Sequence, residues 1–363
     1  MPMIIDSHIN LFTREHLSHL AWSTPENTLN EGNPIPEYLS GIPASKLADF
    51  KGFMCIEAGR RYTIPSDEAI SENDTVALKK AWEWPLEEFE FVYGLSKTEP
   101  HGKYVLGIVP WAPMNLGALA MERFYELLGV EGEAGVERKR MLKGFRYQVQ
   151  DKHLETVGEV RFRESMGWAW KKGLVVEIGV DTRSGGLWQL GEAVKAVQEV
   201  VKDSEHVGGV GAFVINHLCK PDLQMAPPQI PSHPTFKIWK SDLKALAASH
   251  PSIIMKVSGI FAELTHHGLF SELAATEKEN AVISYLTLWI SEVLSIFGPD
   301  RVIWGSDWPI CKMGFEKIYP AAEFSAWEMW RTLVTKVMLK LNQNRDAMEK
   351  LFSGNTARVY KLS

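Results

Sequence analysis

Three side chains of this 363-residue sequence, His8, His217 and Asp307, each follow a short apolar run and could meet around one cavity. Two imidazoles and a carboxylate held together can bind a divalent metal or move protons. Taken singly, each is equally well explained as a hydrogen-bonding loop residue, so their placement decides the matter. Polar or aromatic residues close the remaining runs: Asn10, Glu57, Trp111, Arg146 with Gln148 and Gln150, Glu177, Lys220, Lys256 with Ser258, and Trp308. Arg60 and Arg61 read more readily as solvated or in surface ion pairs than as an anion clamp. His266-His267 reads as a solvated loop pair, and Cys219 and Cys311 as buried thiols with no base beside them in sequence.

Such residues converge only if the runs are parallel strands sharing one end. Strands are expected at 4–6, 53–57, 105–109, 142–146, 174–178, 212–216, 253–257 and 302–304. Several, such as VLGIV, AFVIN and IIMKV, are continuously apolar, the mark of strands buried on both faces. Helical spacing of apolar residues occupies 187–203, 283–297 and, less cleanly, 235–250. Alternating strands and helices without a glycine dinucleotide fingerprint after the first strand predict an α/β fold, a (β/α)8 TIM barrel rather than an open sheet. Catalytic groups of such barrels lie at the C-terminal strand ends. The connections 11–52 and 59–104 follow strands one and two and are expected to be lids or substrate loops, the second with a charged helical patch at 73–90. No linker or repeat divides residues 1–363, which read as one barrel domain closed by helices from 322 onward.

Composition narrows the partners. Hydrophobic residues at 45% and charged residues at 23% can build a core, which excludes a disordered chain. A net charge of -6, without a basic cluster, argues against nucleic acid. No apolar run looks long enough to span a bilayer and no signal peptide opens the chain, so a cytoplasmic enzyme with a small-molecule substrate is expected, its oligomeric state open. Three cysteines without close pairing fit no disulfide framework. Most of the 13 tryptophans should pack rather than bind.

VIWGSDWP (Val302 to Pro309) and INHLCKPD (Ile215 to Asp222) resemble motifs of the amidohydrolase superfamily, in its amidohydrolase-2 branch. IIDSHINLF, LKGFRYQVQ, HPSIIMKVSG and GNTARVYKL match in order and spacing, so the resemblance runs nearly end to end, and it is strongest to the sugar lactonases. It implies a barrel and hydrolysis of a small lactone, a sugar-acid 1,4-lactone. By the same likeness Asp307 is the base that takes a proton from the attacking water, His217 the histidine near the reacting carbonyl, and Arg146 part of the strand-four arginine motif. Gln148, Gln150, Lys220 and Trp308 are expected at the substrate.

One departure stands out: where the family's first strand ends His-x-His, this chain has His8-Ile-Asn10. An amide is a weaker zinc ligand than imidazole. Two readings follow, a divalent metal such as zinc held by His8, Asn10, Glu177 and Asp307, or a metal-free site in which Glu177 pairs with Arg146 or Lys256. Two further functions compete: a metal-dependent decarboxylase of an aromatic or unsaturated acid, and a binding barrel without catalysis.

Overall fold

The computed structural model describes residues 2–27, 29–152, 156–204, 211–264, 270, 273–319 and 323–362; His266 and His267 lie outside them. Eight parallel strands follow in chain order: β1 (Ile4–Ile9), β2 (Phe50–Ile56), β3 (Val105–Val109), β4 (Gly144–Gln148), β5 (Val175–Gly179), β6 (Ala212–Ile215), β7 (Ile253–Val257) and β8 (Val302–Trp304). They form a three-stranded ladder, β1-β2-β3, and a five-stranded one, β4 to β8. Isolated parallel bridges join the ladders, Ile108 with Leu142 and Trp111 with Arg146 at one seam, Ile9 with Trp308 at the other. The expected α/β barrel is thus present, with its two seams held by bridges rather than full ladders.

Alternation along each strand builds the site. Met54, Ile56, Val109, Val175, Val214, Ile254 and Ile303 pack with Val359 and Tyr360 as a separate apolar cluster, the barrel interior. Residues of opposite parity, such as Val176, Phe213, Ile253 and Met255, join the larger core beneath the helices. Two residues beyond the apolar interior layer, the same face turns polar: Val175 leads to Glu177, Val214 to Asn216, Ile254 to Lys256 and Ser258, and Ile303 through Gly305 to Asp307. A packed floor therefore carries a polar rim at the C-terminal strand ends.

The helix Trp188–Asp203 buries Leu190, Ala193, Val194, Val197 and Val200, the expected stripe. Pro234–Ser249 and Ala275–Phe297 also form, the latter longer than expected. Contrary to the expectation from the apolar runs, its Glu277–Phe297 segment is long and apolar enough to cross a membrane; here Val282, Leu286, Trp289, Ile290 and Val293 are buried against the rest of the chain. The first long connection carries the 3-10 turn Arg14–His19 and the helix Ile35–Ser40, and the second carries helices Thr75–Ala81 and Glu83–Leu95. Asp74 starts the former by accepting hydrogen bonds from the Val76 and Ala77 amides.

Candidate active site

The β8 end is anchored by β1. Asp6 is fully buried, and its Oδ1 accepts from the Ser306 amide at 2.8 Å and the His8 amide at 3.2 Å. Its Oδ2 accepts from the Tyr38 hydroxyl at 2.9 Å and the Trp327 indole at 3.1 Å. Four donors on one carboxylate make a rigid clamp between strands at opposite ends of the chain. The Asp307 amide donates to the His8 carbonyl at 2.9 Å, completing the join.

Asp307 and His217 both hold left-handed backbones, φ 61° and 53°. Such conformations are costly for non-glycine residues and cluster at functional sites. At His217 the conformation continues through Lys220, turning the chain sharply just after β6. His8 Nε2 lies 3.4 Å and His217 Nε2 3.9 Å from Asp307 Oδ1, and the two imidazoles stand 4.7 Å apart. Ser258 Oγ meets His217 Nδ1 at 2.8 Å. Gly259, at φ 70°, leaves the space: a Cβ there would come within 2.6 Å of His217 Nδ1 and 3.1 Å of Asp307 Oδ2.

Beneath this trio Lys256 is wholly buried in β7. Its ammonium lies 2.8 Å from Glu177 Oε2, 3.1 Å from the Ser7 carbonyl and 3.2 Å from His8 Nδ1. Three acceptors meet three ammonium hydrogens. Nδ1 of His8 is then an acceptor, and its proton sits on Nε2, facing Asp307. The Tyr360 hydroxyl donates to the other Glu177 oxygen.

Burial pushes the Asp307 carboxyl up to about 7, against the downward pull of Lys220, Arg146 and Lys256. Burial, then the repulsion of Lys256, His217, Arg146 and Lys220, holds His8 well below the ordinary histidine range; burial with Lys220, Arg146 and Lys256 does the same to His217. Both rings are neutral at neutral pH. Burial drives all three thiols upward, which leaves Cys219 and Cys311 inert.

A cavity of about 460 Å³ opens over Asp307 and His217. Arg146, Gln148, Gln150 and Lys220 form a polar wall, with Lys220 Nζ donating to Gln150 Oε1 at 3.0 Å. Phe12, Trp22 and Leu29 from the first long connection, with Ile310 and Met313, form an apolar wall. A larger groove, about 600 Å³, lies between the helices Val160–Lys171 and Trp188–Asp203, and among the described residues no histidine lines it.

Several expectations need correction. Each oxygen of Glu177 accepts one hydrogen bond, from Lys256 and from Tyr360, so the expected ion pair with Lys256 forms. Asn10 donates to the Ile56 and Glu57 carbonyls at 3.1 and 2.8 Å, tying β1 to β2 and leaving only its oxygen to offer. Trp308 does not line the cavity; its ring packs edge-on against Tyr38 at 5.3 Å, because it lies beneath the turn that follows Asp307. Trp111 packs against Tyr62. Arg60 is buried beside Glu88 at 3.6 Å rather than solvated, and neither it nor Arg61 reaches the cavity. Lys256 pairs with Glu177, one of its two expected partners, and its contact with His8 was not expected; the clamp made by Asp6 and the place of Trp22 in the cavity wall were not assigned by strand-end counting.

Among the described residues, one group of histidines and acids could hold a metal ion: His8, His217 and Asp307, each offering an atom within 4.8 Å of the others. The set fits a catalytic cation in number, in closeness and in having His8 Nε2 buried without a hydrogen-bond partner. This candidate set contains His217 and not Glu177.

The amidohydrolase family profile matches residues 211–362, which run from β6 through Asp307 to the C-terminal helix. The matched segment covers the second part of the barrel, and the likeness to the family rests there. An L-rhamnono-gamma-lactonase from Scheffersomyces stipitis is 26% identical, covering 99% of this chain and 98% of its own. A zinc-bound amidohydrolase from Burkholderia multivorans superposes with a TM-score of 0.68 at 20% identity, covering 99% of this chain and all of its own. A 2,6-dihydroxybenzoate decarboxylase from Rhizobium superposes at 0.56 with 12% identity over 99% of each chain. The segment that matches the amidohydrolase profile holds His217 and Asp307, while His8 and Arg146 lie before it.

Proposed function

We propose that this chain opens a small sugar-acid lactone, a 1,4-lactone, with water activated by Asp307. The single observation that carries the reading is the Asp307 carboxylate, poised near neutrality at the floor of a cavity with a polar and an apolar wall. The end-to-end likeness to a rhamnono-lactonase supports the substrate class, and the decarboxylase is more remote in both sequence and superposition.

The chain's own groups fill the three roles that lactone opening needs. Asp307 takes a proton from water as the water oxygen adds to the carbonyl carbon. His8 Nε2 stands 3.4 Å from Asp307 Oδ1, which leaves Oδ2, kept clear by Gly259, to face the water. Charge then develops on the carbonyl oxygen, where Lys220, Arg146 and His217 are preorganised as donors. As the ring C–O bond breaks, Asp307 returns its proton to the alkoxide, and the free hydroxy acid leaves. Zinc is the cation that His8, His217 and Asp307 would hold; when bound there it polarises the carbonyl and acidifies water. Gln148 and Gln150 orient the substrate, and the connections 11–52 and 59–104 act as its enclosing loops, the first through Phe12, Trp22 and Leu29.

The test is a panel of sugar 1,4-lactones and aromatic acids in a weakly buffered assay. Lactone opening releases acid and lowers the pH, as the proposal requires. Proton uptake with carbon dioxide release from an aromatic acid, or no turnover of any lactone, would overturn it.

A further inference from the structure

Glu57 has no part in the chemistry above, yet it is buried in the cavity wall with one oxygen free. It stands just past β2, its amide donating to the Val109 carbonyl at 3.0 Å. The Gly59 amide donates to Oε2 at 2.6 Å, from a backbone at φ 78° that glycine tolerates. The side chain is thus held by one oxygen. Among the described residues Oε1 has no hydrogen-bond partner, and across from it Arg146 Nη1 lies 3.6 Å away. Arg146 Nε is also buried and unpartnered. Both residues line the cavity, and they are only 2% and 4% exposed.

At 3.6 Å the two groups attract but do not hydrogen-bond well. A buried carboxylate and a buried guanidinium left this way are costly unless a third group bridges them. That group must accept from the guanidinium and donate to the carboxylate. An amide nitrogen only donates and an ether or carbonyl oxygen only accepts, whereas a hydroxyl does both. Water does so in the free protein, and a substrate hydroxyl held by the rest of the ligand displaces it.

We infer that Glu57 and Arg146 form a slot for one substrate hydroxyl, with Glu57 as the residue that distinguishes hydroxylated lactones from unsubstituted ones. The inference rests on the lactone reading of this cavity and adds a specificity determinant to it. Glu57 touches neither the water nor the carbonyl, so its contribution depends on the hydroxyl being there.

The experiment compares L-rhamnono-1,4-lactone with γ-butyrolactone on the parent and on Glu57→Gln, which keeps an acceptor for the Gly59 amide. Removing a charged acceptor from a substrate hydroxyl lowers kcat/KM for the sugar lactone by about 10- to 100-fold. γ-Butyrolactone should change less than about twofold, because it has no hydroxyl to lose. An equal loss on both substrates, or none on either, overturns the slot. Calorimetric titration of the sugar lactone into both proteins separates this from the proposed reaction. If the parent hydrolyses neither lactone, the lactonase reading fails, and weaker sugar-lactone binding by Glu57→Gln still supports the slot. Equal binding, or no binding by the parent, refutes it. Should Glu57→Gln not fold, Glu57→Asp, whose shorter side chain cannot span the gap, carries the same comparison.

Discussion

Asp307 is asked to be a base at a position where burial favours its protonated form. With its carboxyl pushed up to about 7, the ionised fraction grows as pH rises through that value. Activity of the metal-free protein should follow that ionisation: kcat/KM climbs about tenfold per pH unit below 7 and levels above it. His8 and His217, held below the ordinary range, add no second limb near neutrality. A pH–rate profile of lactone hydrolysis checks this, and a profile flat from pH 5 to 8 would contradict it. Asp307 and His217 were legible as residues because they stand in long motifs. Their left-handed backbones were not legible: Asp and His adopt positive φ more readily than most residues, but too seldom for residue type alone to predict it.

At the scale of elements, strand order and strand ends were readable because continuous apolar runs have few other homes. The polar contacts inside the barrel were not. Glu177 seemed a ligand because it ends a strand, but register sets β7 beside β5's other neighbour and brings Lys256 to it. Tyr360 arrives from the far end of the chain, a pairing that no local pattern encodes. These groups form a buried chain, Tyr360 to Glu177 to Lys256 to His8, and its energetics can be measured. Lys256→Met leaves Glu177 buried and uncompensated and should cost about 3–5 kcal/mol. Lys256→Met with Glu177→Gln should cost less than the two single losses added together, giving a coupling of roughly 1–3 kcal/mol by denaturant unfolding. Additive losses would mean that the two side chains do not share a pair.

For the whole molecule, the barrel assembles a site from both halves of the chain, with Asp6 clamping β1 to the turn after β8. The same assembly sets the terms on which a cation enters. With Lys256 donating to His8 Nδ1, a metal at Nε2 must displace the proton there. At a pH well above 7, where Asp307 is already ionised, zinc titrated into the protein in dilute buffer should release about one proton per ion, and His8→Ala should abolish the release. Uptake without proton release would mean that His8 presents its other tautomer. The most direct test of the account is hydrolysis of a sugar 1,4-lactone by the parent and by Asp307→Asn, which keeps the shape and removes the base. The parent should acidify the assay, and the variant should be slower by about 100- to 10,000-fold. A variant as fast as the parent would contradict the role given to Asp307.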